Sequence, residues 1–297
     1  MPASEHTQTP VQYLPQWVDS GHDDRPVRSS TDEYTGRQRK LEYPPAPQPS
    51  PVPVVDNHTH LDFRDGYVRL TPTEVMDAAE TVNVVGAIQV ATDRESAQYT
   101  IAALDQEPRL RGAVAIHPND PVKLAQDGTL DEAIEQVKEF AQHPQMVCIG
   151  ETGLDYYRTE GEENWEIQKY AFKRHIELAV ELGLPLQIHD REAHDDVIAI
   201  LLSMDKLPEH VVFHSYSGDA QMASILNEHG WYASFSGIVT FKNNHDAREA
   251  ARQLRQELLL VETDAPFLTP HPYRGRPNAP YMVPYTLYQL AQTRDQT

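Results

Sequence analysis

The chain has 297 residues, 39% of them hydrophobic, which is enough to bury the core of one large domain. Its formal net charge of −20 argues against long-range attraction to nucleic acid, so any polyanionic substrate must be held locally. The single cysteine, Cys148, excludes a disulfide framework, and its position within an apolar run indicates a buried small residue rather than a catalytic thiol.

Residues 1–50 are predicted to form a Pro-rich, partly irregular N-terminal extension ahead of a folded unit at residues 51–297. Ten of the 23 prolines fall in residues 1–53, and proline can neither continue a helix nor donate into a sheet. We expect a spacer or a strap lying on the folded unit. Its candidate anchors are Tyr13, Leu14, Trp17 and Val18. The alternative is a ligand for an aromatic groove of another protein.

The first residues, MPASEHTQTP, are polar and lack both the cationic start and the apolar core of a secretory signal. The longest apolar stretch, residues 197–202, is far too short to span a bilayer. We therefore expect a cytoplasmic protein without membrane contact and without an obligate protein partner.

From residue 52 onward, short apolar runs alternate with longer amphipathic stretches, which is typical of repeated βα units. The predicted strands are 52–56, 84–91, 110–116, 146–150, 184–188, 211–213, 232–235 and 258–262. The predicted helices are 73–81, 94–106, 129–142, 163–183, 194–204, 219–229, 246–256 and 283–292. Eight units predict a TIM-type (β/α)₈ barrel, whose active site lies in the loops after the strands. The last helix is expected to be short or displaced, leaving a surface that the extension could cover.

Histidines and carboxylates follow these apolar runs. His58 and His60 are two positions apart on extended backbone, so both side chains leave the same face. The other residues of this kind are Glu151, His189, His214 and Asp264. A catalytic ion typically takes three protein ligands and a water, so this set exceeds one centre. It predicts a metallohydrolase with two divalent cations that share a bridging carboxylate.

Six motifs strengthen this interpretation. They are His58-x-His60, Gly150-Glu-x-Gly-Leu-Asp155, His189-x-Arg191, His214-x-x-Ser-Gly218, Ser234-Phe-Ser-Gly-Ile-Val-Thr-Phe241 and Glu262-Thr-Asp-Ala-Pro266. In order and spacing they resemble the TatD family of metal-dependent deoxyribonucleases, within the amidohydrolase-like barrels, over about residues 52–285. The resemblance implies that one cation is bound by His58, His60, Glu151 and Asp264, and the second by Glu151, His189 and His214, with Glu151 bridging.

Further residues are candidates for substrate binding. Cations in the loops after strands four to eight predict a local phosphate cradle: Arg158, Arg191, Lys242, Arg274 and Arg276. Taken singly, each cation also fits an ordinary solvated surface charge, except Arg191, whose motif match is strong. His117, after strand three, is a candidate substrate-side group or a packing residue. Asp155 is expected to orient a ligand histidine, and Asp264 to accept a proton from the attacking water.

The resemblance implies a hydrolase of ester bonds (EC 3.1), cleaving single-stranded or short DNA with a two-metal-activated water. The ligand set suits zinc, manganese or cobalt and tolerates magnesium. One alternative is a metallohydrolase of the same barrel class acting on a different ester, lactone or amide. Another is a partner-binding protein that uses the Pro-rich extension, but a complete set of ligands argues against it.

Overall fold

The computed structural model describes residues 25–33, 35–67 and 70–296. Within them, eight parallel strands in the order β1 to β8 form a nearly closed barrel, and helices connect successive strands. The strands are β1 (Val54–Thr59), β2 (Val84–Ala91), β3 (Leu110–Val114), β4 (Met146–Asp155), β5 (Leu186–Arg191), β6 (Val211–Phe213), β7 (Tyr232–Phe235) and β8 (Leu259–Val261). The predicted (β/α)₈ architecture is confirmed.

The helices are α1 (Pro72–Glu80), α2 (Arg94–Gln106), α3 (Pro121–Gln126), α4 (Leu130–Phe140), α5 (Glu162–Leu182), α6 (His194–Ser203), α7 (Ala220–His229), α8 (His245–Gln253) and α9 (Val283–Thr293). Helix α3 was not predicted. It has six residues, so it shows no apolar periodicity, and only Pro121 at its first turn signals its start. Among the described residues, no helix is long and apolar enough to cross a membrane.

The segment after β8 completes the barrel against β1. Thr59 pairs with Ala265 in a parallel bridge, and the main-chain nitrogen of Asp264 donates to the carbonyl oxygen of His58 at 2.9 Å. Because β8 has only three residues, closure depends on this segment. It also brings the first and last predicted ligands of the chain side by side.

Three strands continue past their predicted ends. The predictions for β1, β4 and β5 stop short of the ligand residues, whereas the observed strands run through them, so His58, Glu151 and His189 lie inside strands. The apolar run of each strand ends before its ligand residue, so the apolar pattern does not reveal where the strand ends. In a barrel the last residues of a strand line the mouth, where polar side chains satisfy one another.

Residues 25–50, called the strap below, cross the barrel surface without a helix or a regular strand in their described part. Three tyrosines on or next to α9 donate to carbonyl oxygens of strap prolines. The pairs are Tyr281 with Pro44 at 2.7 Å, Tyr285 with Pro45 at 3.2 Å and Tyr288 with Pro49 at 2.7 Å. The strap thus covers α9. The candidate anchors Tyr13, Leu14, Trp17 and Val18 lie outside the described residues.

Cys148 lies on β4 and is buried. Its sulfur donates to the carbonyl oxygen of Pro185 at 3.3 Å. Burial raises the pKa of the thiol to about 12, so it is not ionised at neutral pH and has a packing role.

Candidate metal centre

Two histidines, one in β1 and one directly after it, direct their Nε2 atoms at one point. His58 and His60 are 0% and 4% exposed, and their Nε2 atoms are 3.0 Å apart. His58 Nδ1 lies 2.7 Å from Oε1 of Gln187, and His60 Nδ1 lies 3.0 Å from the carbonyl oxygen of Val90. Since both partners accept, each Nδ1 carries a proton, so Nε2 is the atom that each ring can offer to a cation.

Glu151 lies between two pairs of histidines. Its Oε1 is 3.3 Å from Nε2 of His60 and 3.8 Å from Nε2 of His58. Its Oε2 is 2.8 Å from Nε2 of His214 and 3.2 Å from Nδ1 of His189. Each carboxylate oxygen therefore faces a different pair of imidazoles.

His189 and His214, the second pair of histidines, are also held by carboxylates that are not themselves predicted ligands. His189 Nε2 lies 3.0 Å from Oδ2 of Asp155, as expected for a residue that orients a ligand. His214 Nδ1 lies 3.2 Å from Oε1 of Glu262. A carboxylate behind an imidazole fixes its orientation and makes it a better ligand.

Asp264 occupies the more open side of the group. Its Oδ1 is 3.4 Å from Nε2 of His60 and 3.7 Å from Nε2 of His58. The side chain is 13% exposed, compared with 5% for Glu151. Its backbone has a φ of +55°, a left-handed conformation that aspartate tolerates better than most residues and that the surrounding contacts must hold.

The charges in the group shift one another's pKa values. Burial lowers the pKa of His60, but the Asp264 and Glu151 carboxylates outweigh it and hold that pKa well above its usual range. Burial raises the pKa of Glu151, but neighbouring histidines, led by His214, outweigh it and hold that pKa well below its usual range. The pocket therefore favours positive charge at its centre.

The donor set fits divalent cations. The Glu151 and Asp264 carboxylates require positive charge at the centre of the group. The raised pKa of His60 places a proton there in the absence of metal, and a divalent cation would replace it. Among the described residues, three groups of side chains are close enough to hold a metal ion: His58, His60 and Asp264; His117, Glu151 and His189; and His58, His214 and Glu262. The first two groups contain five of the six predicted ligands, and the third contains the sixth, His214. His117 and Glu262 are additions to the predicted set.

His117 reaches the same group from the end of β3. Its Nδ1 accepts from the main-chain nitrogen of Asn119 at 3.1 Å, so the proton of the neutral ring is on Nε2, 3.9 Å from Glu151 Oε1. Burial lowers the pKa of His117 to about 3, so the ring is a neutral donor at physiological pH. This position fits the predicted substrate-side role.

The predicted rim cations differ in their surroundings. The Arg191 guanidinium lies 3.9 Å from the centre of the Tyr157 ring, and Tyr157 is 48% exposed. Arg274 is exposed and lies 4.5 Å from the ring centre of Phe241, next to the exposed Lys242. The role of these three cations in phosphate binding stays a prediction.

Arg158 and Arg276 contact the strap. Arg158 pairs with Glu33 at 3.3 Å, and both side chains are exposed. Arg276 donates to the carbonyl oxygens of Glu42 at 2.8 Å and Tyr43 at 3.2 Å. The Arg276 guanidinium therefore anchors the strap, and its place in the phosphate cradle stays a prediction.

Sequence reasoning missed two residues that hold the ligands. Gln187 stands inside the apolar run of β5, and this polar interruption was its only signal. Glu262 belongs to the Glu-Thr-Asp motif and is fully buried; its Oε1 accepts from the main-chain nitrogen of Ser215 at 2.7 Å. Asp56 accepts two hydrogen bonds from Thr263, at 2.8 and 2.5 Å, and so joins β1 to the segment after β8.

Comparisons with known proteins agree with this centre. The family model of TatD related DNases matches residues 55–297. The metal-dependent hydrolase TatD of Mycobacterium tuberculosis is 40% identical over 242 residues, which covers 80% of this chain and 89% of that protein. YcfH of Escherichia coli K12 is 36% identical over 232 residues, covering 77% and 84%. Both relatives are named uncharacterized metal-dependent hydrolases.

Solved structures share the fold. The crystal structure of YJJV, a TatD homolog from Escherichia coli K12, matches with a TM-score of 0.73 at 26% identity, covering 82% of this chain and 91% of that one. A hydrolase TatD family protein from Entamoeba histolytica matches with a TM-score of 0.71 at 17% identity, covering 84% and 94%, and supports the fold alone. The chain therefore belongs to the TatD family and is a metal-dependent hydrolase.

Proposed function

We propose that the protein hydrolyses phosphodiester bonds of single-stranded or short DNA with two divalent cations. The observation that carries the proposal is the position of Glu151, whose two oxygens face separate pairs of histidines. One cation would be held by Glu151, His58, His60 and Asp264, and the other by Glu151, His189 and His214. Two cations that share a carboxylate suit in-line displacement at phosphorus.

The residues around the cations have distinct tasks. When bound, the two cations lower the pKa of water and neutralise the charge on the phosphate oxygens. Asp264 accepts the proton of the attacking water from the open side. Burial raises the pKa of Asp264, but His60 and the other histidines outweigh it and hold that pKa below its usual range, so the carboxylate is ionised and can accept.

His117 and Arg191 orient the substrate. The Nε2 proton of His117 faces the group, so it can donate to a phosphate oxygen without adding charge. Arg191, positioned over Tyr157, offers a cation at the mouth. Lys242 and Arg274 extend this surface.

The charge balance also favours a second candidate, a metallohydrolase of an uncharged ester, lactone or amide. Two of the five predicted rim cations contact the strap instead of open space, and the net charge is −20. The partner-binding alternative is weaker, because the protein's own tyrosines engage the proline carbonyls of the strap.

The test uses full-length protein stripped with a chelator and reloaded separately with Zn²⁺, Mn²⁺, Co²⁺ or Mg²⁺. Elemental analysis gives ions per chain, and hydrolysis is followed on labelled single-stranded DNA, on a small phosphodiester and on an uncharged aryl ester. We expect two ions per chain and metal-dependent cleavage of both phosphodiesters. Cleavage of the uncharged ester alone would favour the second candidate.

Glu151→Ala tests the bridge, with Glu139→Ala, an exposed carboxylate on α4, as the matched control. We expect Glu151→Ala to lose both ions and nearly all turnover, because both ions share this ligand, and Glu139→Ala to resemble the wild type. Two ions per chain in Glu151→Ala would exclude the bridging role.

A further inference from the structure

The strap contacts both loops that carry ligands of the first proposed cation. The β1 loop (residues 60–67) begins at His60, and the β8 loop (residues 262–270) contains Asp264. The main-chain nitrogen of Arg28 donates to the carbonyl of Arg64 at 2.8 Å, and the nitrogen of Arg64 donates to the carbonyl of Pro26 at 2.8 Å. These two bonds fix the strap to the β1 loop.

Arg28 links the strap to the β8 loop as well. Its Nη1 donates to the carbonyl oxygen of Pro266 at 2.5 Å, and its guanidinium carbon lies 5.0 Å from the centre of the Phe267 ring. Pro266 is two residues after Asp264. Because Asp264 has a left-handed backbone, the contacts of the residues that follow it help to fix its carboxylate.

A buried carboxylate joins these contacts. Asp65 of the β1 loop has a fully buried side chain, and two strap arginines compensate its charge. Arg39 binds both oxygens, at 3.0 and 2.5 Å, and Arg28 lies 3.3 Å from Oδ2. Arg39 also donates to the carbonyl oxygen of Gly275 at 2.8 Å. A two-point arginine–carboxylate pair fixes orientation as well as distance.

Arg28 and Arg39 lie outside the family match, which begins at residue 55, whereas the residues they contact lie inside it. The barrel alone supplies Asp65 and the two loops but not the cations that pair with Asp65. Without a partner, a buried carboxylate draws in water or displaces its loop.

We propose that Arg28 and Arg39 are positioning residues of the metal centre, which fix the β1 and β8 loops so that His60 and Asp264 converge on one cation. Neither arginine touches the cation. The inference rests on the proposed ligand set but not on the proposed substrate.

The experiment is a Co²⁺ titration of chelator-stripped, full-length protein followed by visible absorption, with circular dichroism as the check on folding. The variants are Arg28→Ala and Arg39→Ala. The matched control is Arg37→Ala, which removes the same charge from an exposed position of the strap. We expect one of the two Co²⁺ ions to bind at least tenfold more weakly in the first two variants, with altered absorption bands. The other ion, and both ions in Arg37→Ala, should bind as in the wild type.

Two further variants keep the test decisive if an alanine variant does not fold. Arg28→Lys keeps a charge but offers one donor group, so it should give an intermediate Co²⁺ affinity. Asp65→Asn removes the charge that both arginines bind and should weaken the same ion. Folded variants that bind both ions within twofold of the wild type would overturn the inference.

Glu151→Ala separates this inference from the proposed function. If Glu151→Ala also binds two Co²⁺ ions normally, the proposed ligand set is wrong. If Glu151→Ala loses both ions while the strap variants bind as the wild type does, only the role of the strap is wrong.

Discussion

Each of the four ligand histidines has an acceptor at its other ring nitrogen, and these acceptors are of three kinds. His58 faces an amide oxygen, His60 a backbone carbonyl, and His189 and His214 carboxylates. The two carboxylate-backed rings are the more basic ligands. The second proposed cation is therefore expected to bind more tightly than the first.

Glu262→Gln tests the support behind His214. The amide oxygen can still accept from Nδ1, but the negative charge that makes the imidazole more basic is gone. We expect metal affinity to fall by about 10- to 100-fold while the fold is retained. The measurement is a metal titration, with Glu257→Gln at an exposed carboxylate as control. Unchanged metal affinity would mean that Glu262 serves only to accept the hydrogen bond from the main-chain nitrogen of Ser215.

Asp264→Asn tests the proton acceptor. The amide can remain near the ligand histidines but cannot take a proton from water, so we expect turnover at saturating substrate to fall by about 10²- to 10⁴-fold. Single-turnover kinetics on a small phosphodiester provide the measurement. Near-normal turnover with full metal content would reassign Asp264 to metal binding alone.

Among individual residues, the six that converge and Asp155 were predictable from the sequence. Ionisable side chains that follow apolar runs are recognisable as candidate site residues. It could not predict the carbonyl of Val90 as a partner of His60, since a backbone group leaves no mark in the sequence. Gln187 and His58 are 129 positions apart, so no local pattern connects them. The contact of Arg276 with the strap could not be predicted for the same reason, because its acceptors are backbone carbonyls.

Among the helices, α5 supports the site through a buried histidine. His175 Nε2 accepts from the main-chain nitrogen of Ile116 at 3.2 Å, and Nδ1 donates to the carbonyl of Ala171 at 2.7 Å. Ile116 precedes His117, so α5 fixes the backbone next to the histidine that we propose faces the substrate.

This contact predicts a pH dependence. Burial lowers the pKa of His175 to about 4. Between pH 6.5 and 4 the unfolded chain binds a proton on this residue and the folded chain does not, so stability falls as pH falls. From pH 7 to 5 the loss from this group is about 2 kcal/mol. Urea unfolding at both pH values should show a smaller loss for His175→Gln than for the wild type. An equal loss would contradict the assignment.

The contact between α9 and the strap gives a stability prediction. Tyr281→Phe leaves the carbonyl of Pro44 without its donor in a buried position, so the free energy of unfolding should fall by about 1–2 kcal/mol. Tyr288→Phe is the matched control, because Tyr288 is exposed and water can replace its hydroxyl. The control should change stability by less than about 0.5 kcal/mol. Equal midpoints for the two variants in urea would contradict the prediction.

Alternation of apolar runs was sufficient to predict the order of strands and helices, but not where β1, β4 and β5 end or that α3 exists. The strap shows where prediction from sequence patterns reaches a physical limit. No predicted ligand lies in residues 1–50, and the extension was interpreted as an accessory segment, whereas Arg28 and Arg39 meet a carboxylate that is buried only in the folded barrel.

For the whole molecule, a net charge of −20 sets how a polyanion can bind. If Arg191 and Lys242 make two phosphate contacts, raising salt fourfold should weaken binding of single-stranded DNA by only about sevenfold, since each contact contributes a log–log slope of about −0.7. Fluorescence anisotropy between about 50 and 200 mM salt measures this slope. A much steeper slope would indicate a wider basic surface.

The substitutions Arg191→Ala and Lys242→Ala should reduce hydrolysis of single-stranded DNA more than that of a small uncharged ester, because only the nucleic acid needs the rim charges. Lys206→Ala removes the same charge from the loop before β6, at the opposite end of the barrel, and should have no effect on either substrate. Equal losses on DNA and ester would argue for the non-nucleic-acid substrate.

The inert thiol of Cys148 makes the native chain a ready background for site-specific labelling. With its pKa raised to about 12 and its sulfur buried, Cys148 should not react with maleimide dyes near neutral pH while the protein is folded. A cysteine introduced at an exposed strap position, as in Arg37→Cys, would then carry the only dye without any need to remove the natural residue. Its fluorescence could report in real time whether the strap stays docked as metal and substrate bind.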